Sequence, residues 1–163
     1  GRLEAIDAAL KQAGSTSLRF PWHSYPYVAD GEHFTAGGLA AFGADLADAL
    51  RVVARRKSVC VVSDSTLGYH GRRGAERVER LLRSATGGRV RVDAVNGSGF
   101  VARSSTSQHF GARVRPCGGR RAPGFDAQVV VFVGGWNDVR DARAAYAAAA
   151  AAYAATRCLR PVT

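Results

Sequence analysis

Hydrophobic positions along the chain follow two alternating patterns, which predict helices and strands in alternation. Three short runs of apolar, mostly β-branched residues predict buried strands at 58–62, 90–95 and 128–133. Apolar residues at helical spacing predict helices at 3–13, 39–53, 78–82 and, within an alanine-rich stretch, 141–156. Two weaker apolar runs predict a brief strand at 18–22 and the start of another at 158–163.

This alternation predicts right-handed βαβ units, in which parallel strands form a sheet with helices on both faces. We therefore expect a single α/β domain over residues 1–163, with three α/β/α layers and a flavodoxin-like parallel sheet of four to five strands. A stretch rich in Ser, Gly, Arg and Pro predicts a long exposed loop at 104–126. Ligands of such sheets bind beyond the carboxyl ends of the strands, so candidate functional residues are sought there.

The composition is that of a soluble globular protein, with 163 residues of which 47% are hydrophobic and 22% charged. No apolar run reaches the roughly 18 residues that a membrane-spanning helix needs, and no signal-peptide pattern follows Gly1. Three cysteines without CxxC spacing argue against a disulfide scaffold or a zinc site: Cys60, Cys117 and Cys158. We therefore expect no metal and no cofactor.

The charge is strongly positive, with 23 Lys and Arg against 13 Asp and Glu and a formal net charge of +10. Such a balance favours anionic partners, and four arginines of the 104–126 loop are candidate phosphate or nucleic-acid contacts: Arg113, Arg115, Arg120 and Arg121. A solvated loop is the alternative interpretation. An excess of Arg and Ala is also typical of a GC-rich genome, so charge alone assigns no function.

Polar residues and glycines follow four of the apolar runs, as SDSTLG at 63–68, NGSGF at 96–100, GGWND at 134–138 and DGEH at 30–33. An acyl-transfer site needs a nucleophile, a base, a carboxylate that orients the base, and donors for the oxyanion. Ser65 is the candidate nucleophile and His33 the base that takes its proton. Asp30 is the carboxylate that would fix the imidazole tautomer.

The candidate oxyanion donors are the backbone N–H groups of Ser65 and Gly99 and the side-chain amide of Asn137. Asn137 and Asp138 could instead cap the following helix, and the glycines could serve only a tight turn. Four residues near these groups are candidate substrate contacts: Asp64, Trp136, Trp22 and Tyr27. The aromatic ones could stack on a sugar or cover an acyl chain, with core packing as the alternative.

Together the four segments resemble the motif blocks of the SGNH (GDSL-like) hydrolase family. SDS at 63–65 is similar to the first block, Gly99 matches the glycine of the second, GWND at 135–138 matches GxND, and DGEH at 30–33 is similar to the DxxH block. The resemblance implies the family's fold and a serine esterase that forms an acyl-enzyme through Ser65. An acylated carbohydrate or lipid would be its substrate.

The chain departs from the family pattern in three ways. It has SDS where the family usually has GDS, and Phe34 where the family often has Pro. DxxH lies near the C-terminus in the family but precedes the nucleophile here. A circular permutation explains this order if 1–50 carries the segment that is normally C-terminal and 57–163 the one that is normally N-terminal. A chain derived from tandem domains, with Ser65 and His33 meeting in a swapped dimer, and a chance match of the DxxH pattern remain as alternatives.

Three functions follow from these observations. The leading expectation is a small permuted serine esterase. A second is a catalytically inactive subunit with the same fold, within a homo-oligomer or a larger assembly such as a phage or virion particle. Nucleic-acid binding through the arginine-rich loop is the third. The compartment is left open between secretion and an envelope- or particle-associated assembly.

Overall fold

The computed structural model describes residues 18, 20–102, 109, 110, 113, 127–134 and 136–138. The predicted helices at 3–13 and 141–156, the strand at 158–163 and most of the 104–126 loop lie outside the described residues. The side chain of Trp136 lies outside them as well.

Three parallel strands form a sheet in the order β2-β1-β3: β1 Val59–Ser63, β2 Val90–Ala94 and β3 Val129–Val133. The predicted α/β class and the parallel sheet are confirmed, with three strands among the described residues where four to five were expected. Ser63 of β1 is in register with Ala94 of β2 and with Val133 of β3. The three carboxyl ends are therefore level, which brings the segments that follow them to one edge of the sheet.

In the part of the chain that the structure describes, three α-helices accompany the sheet: α1 Ala36–Val53, α2 Ser65–Gly68 and α3 Gly71–Thr86. The hydroxyl of Thr35 accepts a hydrogen bond from the N–H of Gly38 and so caps α1. The helix therefore begins at Ala36, three residues before the predicted start. Gly87 ends α3 in the left-handed conformation at φ 64°. Trp22–Ser24 and Trp136–Asp138 form short 3₁₀ turns.

The brief strand predicted at 18–22 is wrong for the residues described there. Pro21 has no N–H to donate to a sheet and directly precedes the 3₁₀ turn Trp22–Ser24. Instead, the apolar side chains of this segment pack onto α1, where Phe20 and Trp22 each lie 5.1 Å from the ring of Phe42. The segment is apolar because it covers a helix.

Both faces of the central strand β1 are buried, as a layered α/β protein requires. Val59 and Val61 of β1 face a cluster formed with α1 and α3, in which Phe42 and Leu82 are fully buried. The alternate residues of β1 are Cys60 and Val62. They face a second cluster with Phe100, Phe110 and Ala127. In the part of the chain that the structure describes, no helix is long and apolar enough to cross a membrane.

The outer edge of β2 is covered by side chains of α3. The carboxylate of Glu79 accepts a hydrogen bond from the N–H of Val92 at 3.3 Å. Arg83 donates to the carbonyl oxygen of Val90 at 3.4 Å and to Glu79 at 2.5 Å. Backbone groups that would be open to another strand thus have side-chain partners.

Candidate active site

The Asp30 and His33 side chains form a hydrogen-bonded pair. Nδ1 of His33 lies 2.8 Å from Oδ2 of Asp30, while Oδ1 of Asp30 accepts the N–H groups of Glu32 and His33 at 2.8 and 3.0 Å. The His33 side chain and then these N–H groups lower the pKa of Asp30 from 3.8 to about 2. The carboxylate therefore stays ionised and keeps the proton of a neutral imidazole on Nδ1, which leaves Nε2 as the acceptor.

The pair is held in a tight reversal of the chain. Gly31 takes φ 68°, a conformation that favours glycine, and its N–H donates to the carbonyl of Val28 at 3.0 Å. The N–H of Val28 donates to the carbonyl of His33 at 2.8 Å. An antiparallel bridge joins Tyr27 to Phe34 on either side of the reversal. The DGEH sequence thus forms a closed turn that presents the imidazole.

Ser65 is the first residue of α2, directly after β1. Asp64 caps this helix by accepting the N–H of Thr66 at 2.8 Å. The Ser65 side chain is half-buried, and within the described residues its own N–H donates to no acceptor. A serine with a free N–H at a helix start suits both attack on a carbonyl and stabilisation of the resulting oxyanion.

Asp64, predicted as a substrate contact, is fully buried. It lies against Gly134, where a Cβ atom would stand 2.4 Å from its Oδ2. The structure therefore places this carboxylate between the ends of β1 and β3, as the cap of α2.

The DGEH turn lies against the helix that begins at Ser65. The ring of His33 stacks on that of Tyr69 at a centroid distance of 4.2 Å and an angle of 18°. The N–H of Tyr69 donates to the carbonyl of Ser65 at 2.9 Å, so the stacked tyrosine lies one helical turn from the serine. Nε2 of the adjacent His70 lies 2.8 Å from the carbonyl oxygen of Phe34. Two neighbouring contacts thus hold the DGEH turn against the end of α2, one helical turn from the candidate nucleophile.

No hydrogen bond joins the Ser65 hydroxyl to the His33 ring in the described part of the chain, and Nε2 of His33 makes none there. Catalytic hydrogen bonds are often long without substrate and tighten only when it binds. The face of the His33 ring lies on Tyr69, and its Nε2 has no hydrogen-bond partner among the described residues.

The segments after β2 and β3 are tied together by two side chains. The Asn137 amide donates from Nδ2 to the carbonyl of Ser98 at 2.9 Å. The Asp138 carboxylate accepts three successive N–H groups, those of Phe100, Val101 and Ala102, at 2.7, 2.9 and 2.8 Å. Because an amide nitrogen carries two hydrogens, Asn137 retains one for a developing oxyanion.

Gly99, a predicted oxyanion donor, uses its N–H within the loop. That group donates to the carbonyl oxygen of Ala102 at 2.9 Å. Of the three predicted oxyanion donors, the Ser65 N–H and the second Asn137 amide hydrogen therefore have no acceptor among the described residues. The sequence indicated Asp138 only as a possible helix cap. Its three N–H partners at 100–102 lie more than thirty residues away, and the sequence alone does not show such a contact.

Arg113, one of the arginines predicted in the exposed loop, is buried with 1% of its side chain accessible. Its guanidinium donates to Oδ2 of Asp93 at 3.1 Å, to the carbonyl of Ser63 at 3.0 Å and to the hydroxyl of Ser98 at 2.7 Å, and also to the Asp93 carbonyl. For Arg113 the prediction of a solvated or anion-binding side chain is wrong, because these internal acceptors occupy it. Arg115, Arg120 and Arg121 lie outside the described residues.

The aromatic residues before the DGEH turn pack on one another. The Trp22 ring stacks on Phe34 at 6.1 Å and 4°, and 40% of Trp22 remains exposed. The Tyr27 ring lies 5.0 Å from that of Phe34, and its hydroxyl donates to the Trp22 carbonyl at 3.0 Å. Burial raises the pKa of Tyr27. Of these two predicted substrate contacts, Trp22 has the larger open surface.

A cleft of about 480 Å³ opens beside α2, between the start of α3 and the end of β2. Gly68, Arg72, Val92 and Asn96 are among the residues that line it. It adjoins the end of α2, and neither Ser65 nor a residue of the DGEH turn lines it. Among the described residues, no group of three His, Cys, Asp or Glu side chains is arranged to hold a metal ion.

Comparison of the chain with family models, with curated proteins and with solved structures gives no match.

Proposed function

We propose that the protein is a serine ester hydrolase of the SGNH type, with Ser65 as nucleophile, His33 as base and Asp30 as the group that orients the base. The observation that carries this proposal is the Asp30–His33 pair lying on Tyr69, one helical turn after Ser65. The parallel order β2-β1-β3 supports it, because a flavodoxin-like sheet contains the same order.

In the proposed reaction, Nε2 of His33 takes the Ser65 proton as Oγ attacks the ester carbonyl. The Ser65 N–H and the Asn137 amide donate hydrogen bonds to the oxyanion. Collapse of the tetrahedral intermediate breaks the ester bond, and the leaving alcohol takes the proton from His33. Water then attacks the acyl-enzyme with His33 again as base, which releases the acid and restores Ser65.

An acylated carbohydrate or lipid is the proposed substrate class. The Trp22 ring supports it, because it stacks on Phe34, the residue after His33, and 40% of Trp22 is open to contact with a sugar or an acyl chain. The DGEH turn reaches the end of α2 within a single polypeptide, as a permuted order requires.

Replacement of Ser65 with Ala tests the proposal. We expect S65A to lose turnover of a short-chain p-nitrophenyl ester by at least about a thousandfold while its circular dichroism stays unchanged. A fluorophosphonate probe should label the wild-type chain at Ser65. Ser84→Ala is the matched control, because Ser84 is exposed on α3 and should leave both signals intact. Equal turnover in S65A and S84A would overturn the assignment.

A second candidate function is an inactive binding or structural subunit with this fold. The engaged N–H of Gly99 favours it, because that loop then offers one oxyanion donor fewer. Under this alternative, the folded wild-type chain forms no fluorophosphonate adduct and hydrolyses no ester.

A further inference from the structure

We propose that Tyr69 is a positioning residue that holds the plane of the His33 imidazole toward Ser65, an inference that rests on the proposed ester hydrolysis. The two rings are nearly parallel, 4.2 Å apart, although 43% of Tyr69 is exposed. The Tyr69 hydroxyl makes no hydrogen bond within the described residues. The contact is therefore made by the ring itself.

The stacked Tyr69 ring restricts the tilt of the His33 imidazole, which the Asp30 hydrogen bond alone does not. That bond fixes the proton on Nδ1 of His33 and one point of the ring, but a single hydrogen bond restricts the ring's tilt only loosely. A flat neighbour at van der Waals distance restricts the tilt. With both contacts, the direction in which Nε2 points is defined.

Tyr69 also links the base to the nucleophile. Its N–H donates to the Ser65 carbonyl at 2.9 Å, so its backbone closes the helical turn that Ser65 begins. A shift of α2 therefore carries the stacking surface along with the serine. The positive charge that the imidazole gains on taking the Ser65 proton lies over the face of an aromatic ring, which attracts cations.

The first measurement compares Tyr69→Ala with Tyr69→Phe in the full chain, using a p-nitrophenyl ester. We expect Y69A to lower kcat about ten- to a hundredfold with KM within about twofold, since misplacing a reacting group costs rate more than binding. Y69F keeps the ring and should retain kcat. Val52→Ala, at an 83% exposed residue in the last turn of α1, is the control that should behave as wild type. A wild-type kcat in Y69A overturns the positioning role.

The second measurement does not depend on turnover. The face of Tyr69 shields the ring protons of His33, so their NMR signals should move downfield in Y69A and stay in place in Y69F. Unchanged signals in Y69A overturn the inference. If the wild-type chain hydrolyses no ester while the signals move as expected, the proposed function fails and the positioning contact stands.

Discussion

Gly99 lies directly against Asp138, where a Cβ atom on the glycine would stand 2.4 Å from Oδ2 of the carboxylate. Only glycine leaves room for this approach, because a contact of that length must displace one of the two groups. The carboxylate, 7% exposed, can then receive the three N–H groups of 100–102. The loop after β2 and the 3₁₀ turn after β3 are thereby joined into one unit.

Replacement of Asp138 with Asn should lower the free energy of unfolding by about 3 kcal/mol, because the amide keeps one neutral acceptor oxygen and turns an NH₂ group toward N–H groups that the carboxylate now accepts. Urea denaturation measures the change. Asp48→Asn is the control, since Asp48 is exposed and, among the described residues, pairs with Arg51 three positions along the helix. Equal unfolding midpoints for D138N and D48N would contradict the role assigned to Asp138.

Replacement of Arg113 with Met should lower the free energy of unfolding by about 2 kcal/mol. Loss of one partner from a buried ion pair costs roughly 3–5 kcal/mol, but water can partly solvate the Asp93 side chain that remains. That side chain is 35% exposed. Arg51→Met, at an exposed arginine, is the control in the same urea experiment. If R113M lowers the free energy of unfolding by no more than R51M does, the Arg113 guanidinium does not link the ends of β1 and β2.

Replacement of Ser63 with Ala should raise the free energy of unfolding by about 1 kcal/mol. The Ser63 hydroxyl is fully buried at the end of β1 and has no hydrogen-bond partner among the described residues. Such a group loses its water on folding without compensation. Ser84→Ala, on the exposed side of α3, should leave stability within about 0.5 kcal/mol. A less stable S63A would mean that the hydroxyl is satisfied in solution.

Replacement of Asp30 with Asn should change the pH dependence of stability in the acid range. Because hydrogen bonds lower the pKa of Asp30 from 3.8 to about 2, the unfolded chain takes up this proton before the folded chain does. The stabilisation is fully present above about pH 4 and is lost as the pH falls toward 2. Urea titrations at several pH values should show wild type and D30N converging over this window. A constant difference from pH 2 to 6 would exclude this contribution.

Replacement of Glu79 with Ala should increase self-association. Without the carboxylate, the N–H of Val92 at the outer edge of β2 loses its acceptor and becomes open to a strand of another molecule. Sedimentation velocity at increasing protein concentration measures this. Glu76→Ala is the matched control on the same helix, because Glu76 pairs with Arg72 and its carboxylate accepts no hydrogen bond from β1, β2 or β3. Identical sedimentation of the two variants would argue against edge protection.

The sheet was predictable because β1 and β3 are apolar along nearly their whole length and β2 carries Val90 and Val92 at alternate positions. Runs such as 58–62 read as buried strands without knowledge of their neighbours, and β1 lies within one residue of that range. The Asp30–His33 pair was predictable for a similar reason, since a spacing of three residues allows a local turn to join the side chains. In both cases, residues close together in the sequence were enough to predict the structure.

The contacts that shape the site were not predictable, because they join distant parts of the chain. The partners of Arg113 lie 15 to 50 residues away, so its burial left no local signal in a segment rich in Arg and Gly. The use of the Gly99 N–H depends on how the loop closes on Ala102. The stacking of Tyr69 on His33 requires a loop and a helix 36 positions apart to meet.

The DGEH turn meets α2 twice within a single polypeptide, through His33 on Tyr69 and through His70 on the Phe34 carbonyl. If Ser65 and His33 react as proposed within this one polypeptide, the reaction between them is first order in the chain. Dilution would then leave the rate per molecule unchanged, down to a single molecule in a vesicle or droplet.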